Sequence, residues 1–366
     1  MVIILYRVNT MSRQIKPFAA NKKNITAFVI IFLIVFPLFA APESTPEMVP
    51  YEGDLLQIFF HPVLARPEIA FKGKMKDFFK DWFVTAEEFK KILNEMYMQG
   101  YVLTDINDFC KVIYENGQKK LQVQKLMVPK GKKPMIFFID DLNYYPNMKE
   151  NGIVHKLVLD EKGEIAAWTD NGNGGELSYD NDIVTILESF IRQYPDFSVF
   201  GTRGVIAVTG YEGVFGYQTQ EPDAAGYQEE VNKATAIANK LKELGWRFAS
   251  HGFAHLRMPD ISMALFKSDT NRWDKEVRPI VGDTDLYVYP FGAGVENNKE
   301  KHDFLCNQGF DMFFGVGPGY AYRTRPGYMF FERRNIDGTY FRYFRNRPDK
   351  LFDIDKVMDK KLRDVR

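Results

Sequence analysis

The chain reads as an α/β protein built on a parallel sheet. Short apolar runs alternate with amphipathic helical patterns along most of its 366 residues, the pattern of strand–helix–strand crossovers. Several of the runs end in polar residues or tight turns: His61, Asp140-Asp141, His251 and the Pro290-Phe291-Gly292 turn. In parallel α/β sheets, chemistry gathers at those carboxyl ends of the strands. The composition agrees, since 45% apolar and 26% charged residues describe an ordinary globular chain.

Taken in order, the chain opens on a segment of a different kind. Five of the 48 basic residues and none of the 48 acidic ones lie in residues 1–41, so the remainder is net acidic. A nucleic-acid-binding domain would show the opposite balance, and no nucleic-acid partner is expected. Lys22-Lys23 is followed by "ITAFVIIFLIVFPLFAA", a basic region leading into an apolar one that ends in small residues. The run is short for a membrane span. Residues 1–41 therefore read as a secretory signal peptide, or else as an uncleaved anchor tethering the protein through residues 25–40. Either reading makes the protein exported. Residues 42–53, rich in Pro, Glu, Ser and Thr, read as a linker.

"DLLQIFFHPVL" (54–64) reads as a buried strand ending at His61. Thr85 and Glu88 form a capping box for an amphipathic helix that Gly100 closes. "YVLTDINDF" follows as a strand leading into a helix. "KPMIFFIDD" is an apolar strand that stops at Asp140 and Asp141. Residues 146–182 alternate polar and apolar residues around Gly/Asn-rich turns and read as a β-hairpin insertion. A helix at "NDIVTILESFIRQYP", a strand at "GVIAVTG", a helix over 229–246 and the strand "RFASH" come next. "LYVYPFGAG", "MFFGVG" and "FFERRNIDG" complete the strands, and residues 346–366 read as a helical tail. Cys110 and Cys306 are the only cysteines. They are too few for a structural zinc site, and whether they pair stays open.

Two patterns carry chemistry. His251 and His255 lie four residues apart, and on a helical turn that spacing puts both imidazoles on one face, within reach of one ion. Asp140 and Asp141 are adjacent carboxylates at a strand end. Like charges side by side are costly unless a cation takes one of them, although a helix N-cap pair would look the same. Of the other histidines, His155 and His302 are expected at the surface. Trp246 is expected in the core.

In their order these residues resemble the polysaccharide deacetylases, the NodB-homology carbohydrate esterases of family 4. Phe138-Ile139-Asp140-Asp141 stands for that family's first motif, His251-Gly252-Phe253-Ala254-His255 for its second, and Val288-Tyr289-Pro290-Phe291-Gly292 for its third. Phe60-His61-Pro62-Val63 matches an opening strand motif. The resemblance spans about residues 54–345. It implies a distorted (β/α)7-type barrel with the site at its carboxyl face. It implies a divalent metal, zinc with cobalt or nickel as alternatives, held by Asp141, His251 and His255, with Asp140 as general base. It also implies a backbone oxyanion donor among Tyr289, Pro290 and Phe291, and an acetylated polysaccharide or peptidoglycan-type glycan as substrate.

The chain departs from the family's pattern in three places. Val288 stands where the third motif carries an arginine, so Arg334, or its neighbour Arg333, is expected to supply the missing charge. No histidine follows His302, so the family's late general acid is absent and His61 is the candidate substitute. Gly252 replaces a Ser or Thr. These departures leave two rivals to a glycan deacetylase: a non-catalytic carbohydrate-binding relative and another metal-dependent hydrolase of the cell envelope.

Overall fold

Seven parallel strands close into a barrel. The computed structural model describes residues 46–363, so the leader or anchor expected over 1–41 lies outside the described residues. The barrel strands are β1 (Leu56–Phe60), β2 (Lys133–Asp140), β3 (Val205–Val208), β4 (Arg247–Ser250), β5 (Leu286–Val288), β6 (Met312–Val316) and β7 (Tyr328–Asn335). Each pairs in parallel with the next from β2 to β7, β7 pairs with β1 through Arg334↔Ile58 and Asn335↔Phe59, and β1 pairs with β2 along its whole length. This is the seven-stranded barrel the resemblance implies.

The ring is complete only towards the carboxyl ends. Lower down, β2 pairs with the extra strand Tyr101–Leu103 on the edge that β3 occupies above. The lower half of β7 pairs with an antiparallel strand, Tyr322–Arg325, instead of with β1.

Side-chain alternation divides the core in two. Phe59, Phe138, Ala207, Ala249, Val288, Phe314 and Phe331 point into the barrel and form one apolar cluster with the residues beneath them. Their neighbours Phe60, Ile139, Ile206, Tyr287, Phe313 and Phe330 face outwards into the larger cluster shared with the helices. Those helices include α1 (Lys76–Trp82), α2 (Ala86–Met98), α3 (Ile183–Gln193), α4 (Tyr227–Leu244), α5 (Met263–Glu276) and α6 (Lys299–Asn307). The expected capping box is present on α2, where Thr85 and Glu88 exchange hydrogen bonds. The floor of the barrel is closed by a hairpin, Cys110–Glu115 with Gln118–Val123, whose Cys110 and Leu121 join the interior cluster. Chemistry is left to the opposite, carboxyl mouth.

Several expectations need correction. The second half of the proposed linker is a strand: Met48–Pro50 pairs with Met127–Pro129, held further by Tyr51 N–H donating to Leu126 O at 2.8 Å. Backbone pairing decides this, and composition does not report it. The insertion is a short helix plus a three-stranded antiparallel sheet rather than a single hairpin. The described part of the tail has one helical turn, Ile354–Val357, and otherwise wraps as irregular chain. It buries Leu351, Phe352, Ile354 and Val357. Among the described residues no helix is long and apolar enough to cross a membrane. Cys110 and Cys306 are both free.

Candidate metal centre

Five of the seven inward columns of the barrel end in a polar residue one step above their last apolar one. Phe59 leads to His61, Phe138 to Asp140, Ala207 to Thr209, Ala249 to His251 and Phe331 to Arg333. The period-two geometry that packs the interior thus delivers five polar side chains to one mouth.

Asp140 and Arg333 meet there as a bidentate pair. Nη1 donates to Oδ1 at 2.7 Å and Nη2 to Oδ2 at 2.9 Å. Arg333 is 0% exposed, and its guanidinium lies 4.4 Å from the Phe59 ring centre and 4.9 Å from that of Phe138. Burial disfavours charge on Asp140, yet Arg333 and then His251 outweigh it and hold the carboxyl below its usual range. Arg334 is therefore not the residue that faces the base. It points to the outer side, where Nη1 reaches Asp349 O at 3.3 Å and the guanidinium stacks on Phe344. Strand parity is the reason: from Phe331, only an even step returns to the barrel interior.

Strict alternation would send Asp141 outwards. Its backbone instead turns left-handed, with φ 59°, while its N–H still bonds Ala207 O at 3.1 Å. The side chain stays at the mouth, buried. Tyr145 O–H donates to Oδ1 at 2.7 Å, and Oδ2 lies 3.5 Å from His255 Nε2. Thr209 Oγ1 lies 2.5 Å from the Tyr145 hydroxyl oxygen. Burial pushes the Tyr145 phenol well above its ordinary pKa, so it remains a donor. Burial also opposes charge on Asp141, but His255 and His251 hold its carboxyl below the usual range.

The His251–His255 spacing works, although not through a helix. The segment is an irregular turn in which Gly252 has φ +66° and His255 φ 50°. A Cβ at Gly252 would sit 2.5 Å from Met258 Cε and 3.0 Å from Asp269 Oδ2. Met258 can move aside, so the positive φ is the feature that favours glycine at the position. His251 Nδ1 lies 2.8 Å from Val288 O; donating there, it keeps Nε2 free as a lone-pair donor. Burial lowers the His251 pKa despite the two nearby aspartates, which favours the neutral, ligating form.

Asp141, His251 and His255 form the one cluster of metal-ligating groups among the described residues, their donor atoms all within 4.8 Å of one another. Ligands of a tetrahedral ion bonded at about 2.0–2.2 Å sit roughly 3.4 Å apart. The Asp141–His255 pair already has that separation, and the donor set of one carboxylate and two imidazoles suits zinc, cobalt or nickel. The residues present therefore fit a divalent ion.

The other expected residues fall as follows. His61 Nδ1 lies 3.0 Å from Trp82 O, and the His61 imidazole acts electrostatically on both aspartates. Tyr289 has a fully buried side chain, and its N–H donates to Phe314 O at 2.9 Å, so it offers no free backbone donor. Pro290 has no N–H. Gly292 and Ala293 donate to Tyr289 O and Pro290 O. That leaves the Phe291 N–H as the turn's donor without an acceptor among the described residues. Phe291 itself has φ 59°, is 62% exposed and lays its ring 4.6 Å from that of His255. His302 is not at the surface as expected: it is buried against Tyr328, with Cys306 Sγ 3.5 Å from Nε2. Trp246 is core, as expected.

Two residues escaped sequence reading. Tyr145 lies four positions after Asp141 without any telling pattern. Asp269, on α5, accepts the N–H groups of both Phe253 and Ala254 at 2.8 Å, inside the histidine turn. Nothing in the spacing links it to that turn.

No family model matches the sequence, and no curated protein sequence matches it. Solved structures do align with it. A polysaccharide deacetylase from Bacillus cereus aligns at 13% identity and TM-score 0.44, covering 78% of this chain and 66% of that one; about a third of the Bacillus chain has no counterpart here. IcaB from Ammonifex degensii aligns at 14% identity and TM-score 0.42, covering 78% of this chain and 92% of that one. The Streptococcus pyogenes deacetylase PplD, solved with acetate, aligns at 14% identity and TM-score 0.40, covering 80% and 94%.

Proposed function

We propose that this protein is a metal-dependent deacetylase of N-acetylated glycan. The observation that carries the reading is one mouth holding Asp141, His251 and His255 as a ligand set beside a buried Asp140–Arg333 pair. A bound divalent ion there supplies Lewis acidity, polarising a carbonyl oxygen and lowering the pKa of water.

The chain's own residues take the remaining roles. Asp140 accepts the proton of the attacking water, because Arg333 keeps its carboxylate ionised and aimed. Arg333 thus fills the place that Val288 leaves empty in the third motif, which removes one motive for a non-catalytic reading. The Phe291 N–H is the oxyanion donor of the Pro290 turn. His61, its Nδ1 taken by Trp82 O, uses Nε2 to protonate the departing nitrogen as the C–N bond breaks. Tyr145 and the Val288 carbonyl hold Asp141 and His251 in ligating orientation. Export is part of the proposal and rests on residues 22–41 of the sequence.

The test is acetate release from N-acetylglucosamine oligomers by the metal-loaded chain. Release should vanish on chelation, return on readdition of zinc or cobalt, and be lost in Asp141→Ala. Release that persists in Asp141→Ala would refute the metal-dependent reading. Phosphoester or peptide cleavage without acetate release would favour another hydrolase on the same barrel.

A further inference from the structure

We propose that Asp269 is a positioning residue for the metal centre: its carboxylate clamps the turn between His251 and His255 and sets where both imidazoles lie. The inference rests on the metal-centre reading above and extends it to a residue no motif marks.

The geometry is specific. Asp269 sits on α5 with 5% exposure, and each carboxylate oxygen takes a separate backbone N–H: Oδ2 that of Phe253 and Oδ1 that of Ala254, both at 2.8 Å. Those two residues, with Gly252, are the whole of the chain between the two histidines. The other side of the turn is tied down as well. Phe253 O accepts the N–H groups of Gly210 and Tyr211 at 2.9 and 3.0 Å, and His251 N–H donates to Val208 O at 3.0 Å. The turn is thus held between the end of β3 and one carboxylate.

That rigidity matters because the turn has an unfavourable backbone. Gly252 and His255 both have positive φ, a conformation that a β-carbon-bearing residue such as His255 adopts only when its surroundings impose it. Asp269 is part of what imposes it. Its Oδ2 stands 3.0 Å from where a Cβ at residue 252 would be. A side chain at 252 would therefore press on the clamping oxygen, which would have to shift. In this chain a carboxylate from a neighbouring helix braces the turn.

The experiment is a Co2+ titration of the full chain, followed by its visible absorption. Wild type, Asp269→Asn and Ser262→Ala are compared. Ser262 caps the same helix, accepting Leu265 N–H at 3.2 Å, and among the described residues no hydrogen bond joins it to the turn. Asn keeps the size of Asp but turns an NH2 group towards one of the two backbone N–H groups. The expected result is Co2+ affinity weaker by about tenfold to a hundredfold with an altered d–d spectrum in Asp269→Asn. Ser262→Ala should melt lower yet bind Co2+ within about twofold of wild type. Wild-type affinity in Asp269→Asn, or an equal loss in Ser262→Ala, overturns the clamp while leaving the metal centre intact. Absence of Co2+ binding by wild type overturns the metal centre itself, and the clamp with it. Should Asp269→Asn not fold, Asp269→Glu, which displaces both oxygens by one methylene, decides by the same tenfold criterion.

Discussion

Replacing Arg333 by Met removes the partner of Asp140 while keeping an unbranched apolar stem of similar reach. Two charge-assisted hydrogen bonds, at 2.7 and 2.9 Å, disappear. At roughly 1.5–3 kcal/mol each, their loss amounts to about 3–6 kcal/mol. A second route gives a similar figure, since breaking a buried ion pair by removing one partner costs about 3–5 kcal/mol. We expect a loss of about 3–5 kcal/mol, because Asp140 can escape part of the penalty by taking up a proton. The pH dependence has a definite sign. In the wild type the folded pKa of Asp140 is depressed, so the pair's stability is present above the unfolded value, near 3.9, and is lost as pH falls through the folded value. The gap between variant and wild type should therefore be full near neutrality and close on acidification. Urea denaturation of the metal-free protein at several pH values measures it. Arg334→Met is the control, because Arg334 points away from the barrel interior and has no carboxylate ion-pair partner among the described residues, its Nη1 donating to a carbonyl at 3.3 Å and its guanidinium stacking on Phe344; a smaller cost, about 1–2 kcal/mol, is expected there. If Arg333→Met costs under about 1 kcal/mol, or no more than Arg334→Met, the assignment of the pair is wrong. The acid limb of acetate release should also move to higher pH in Arg333→Met, since Asp140 then keeps its burial and loses its cation.

Two further outcomes follow from the same structure. His251 is buried with a depressed pKa, so the unfolded chain takes up a proton near pH 6.5 that the folded one refuses. Metal-free stability should fall as pH drops below that value, and His251→Gln should flatten the slope in a pH series of thermal melts. Arg363 is buried near the end of the chain. It donates to Glu88 Oε1 and Oε2, both at 2.7 Å, and to Phe83 O and Lys80 O at 2.7 and 2.6 Å. Arg363→Ala strands Glu88 and should cost about 3–5 kcal/mol, read as a lowered midpoint in urea; an unchanged midpoint would mean that the tail does not dock as described.

Much of the fold was legible in the chain. The strand–helix alternation is present as read, and the apolar strands end where Asp140, His251 and Pro290 were expected to mark the mouth. The helix behind Thr85 and Glu88 was announced by its capping box. The insertion and the region after residue 45 were less legible, because backbone pairing such as Met48–Pro50 with Met127–Pro129 leaves no trace in composition. His302 is buried although its helix is polar in sequence, because the burying surface comes from Phe313 and Tyr328, far along the chain.

The site divides along the same line. The resemblance carried by the motifs in their order implied Asp141, His251 and His255 as one candidate ligand set, and the structure brings their donor atoms within 4.8 Å of one another. The alternation of "FFERRN" did not hold the choice between Arg333 and Arg334, because parity counted from Phe330 and from Phe331 selects opposite arginines and only barrel closure makes Phe331 the inward one. Other features exist only in three dimensions. The left-handed backbone at Asp141 and His255, the tautomer that Val288 O favours on His251, and the two-oxygen grip of Asp269 on the histidine turn all depend on groups brought together by barrel closure. Hydrogen bonds between residues 16, 37 or 193 positions apart leave no local pattern, because the distances that matter to a ligand set are set by the ring of strands and not by the spacing along the chain.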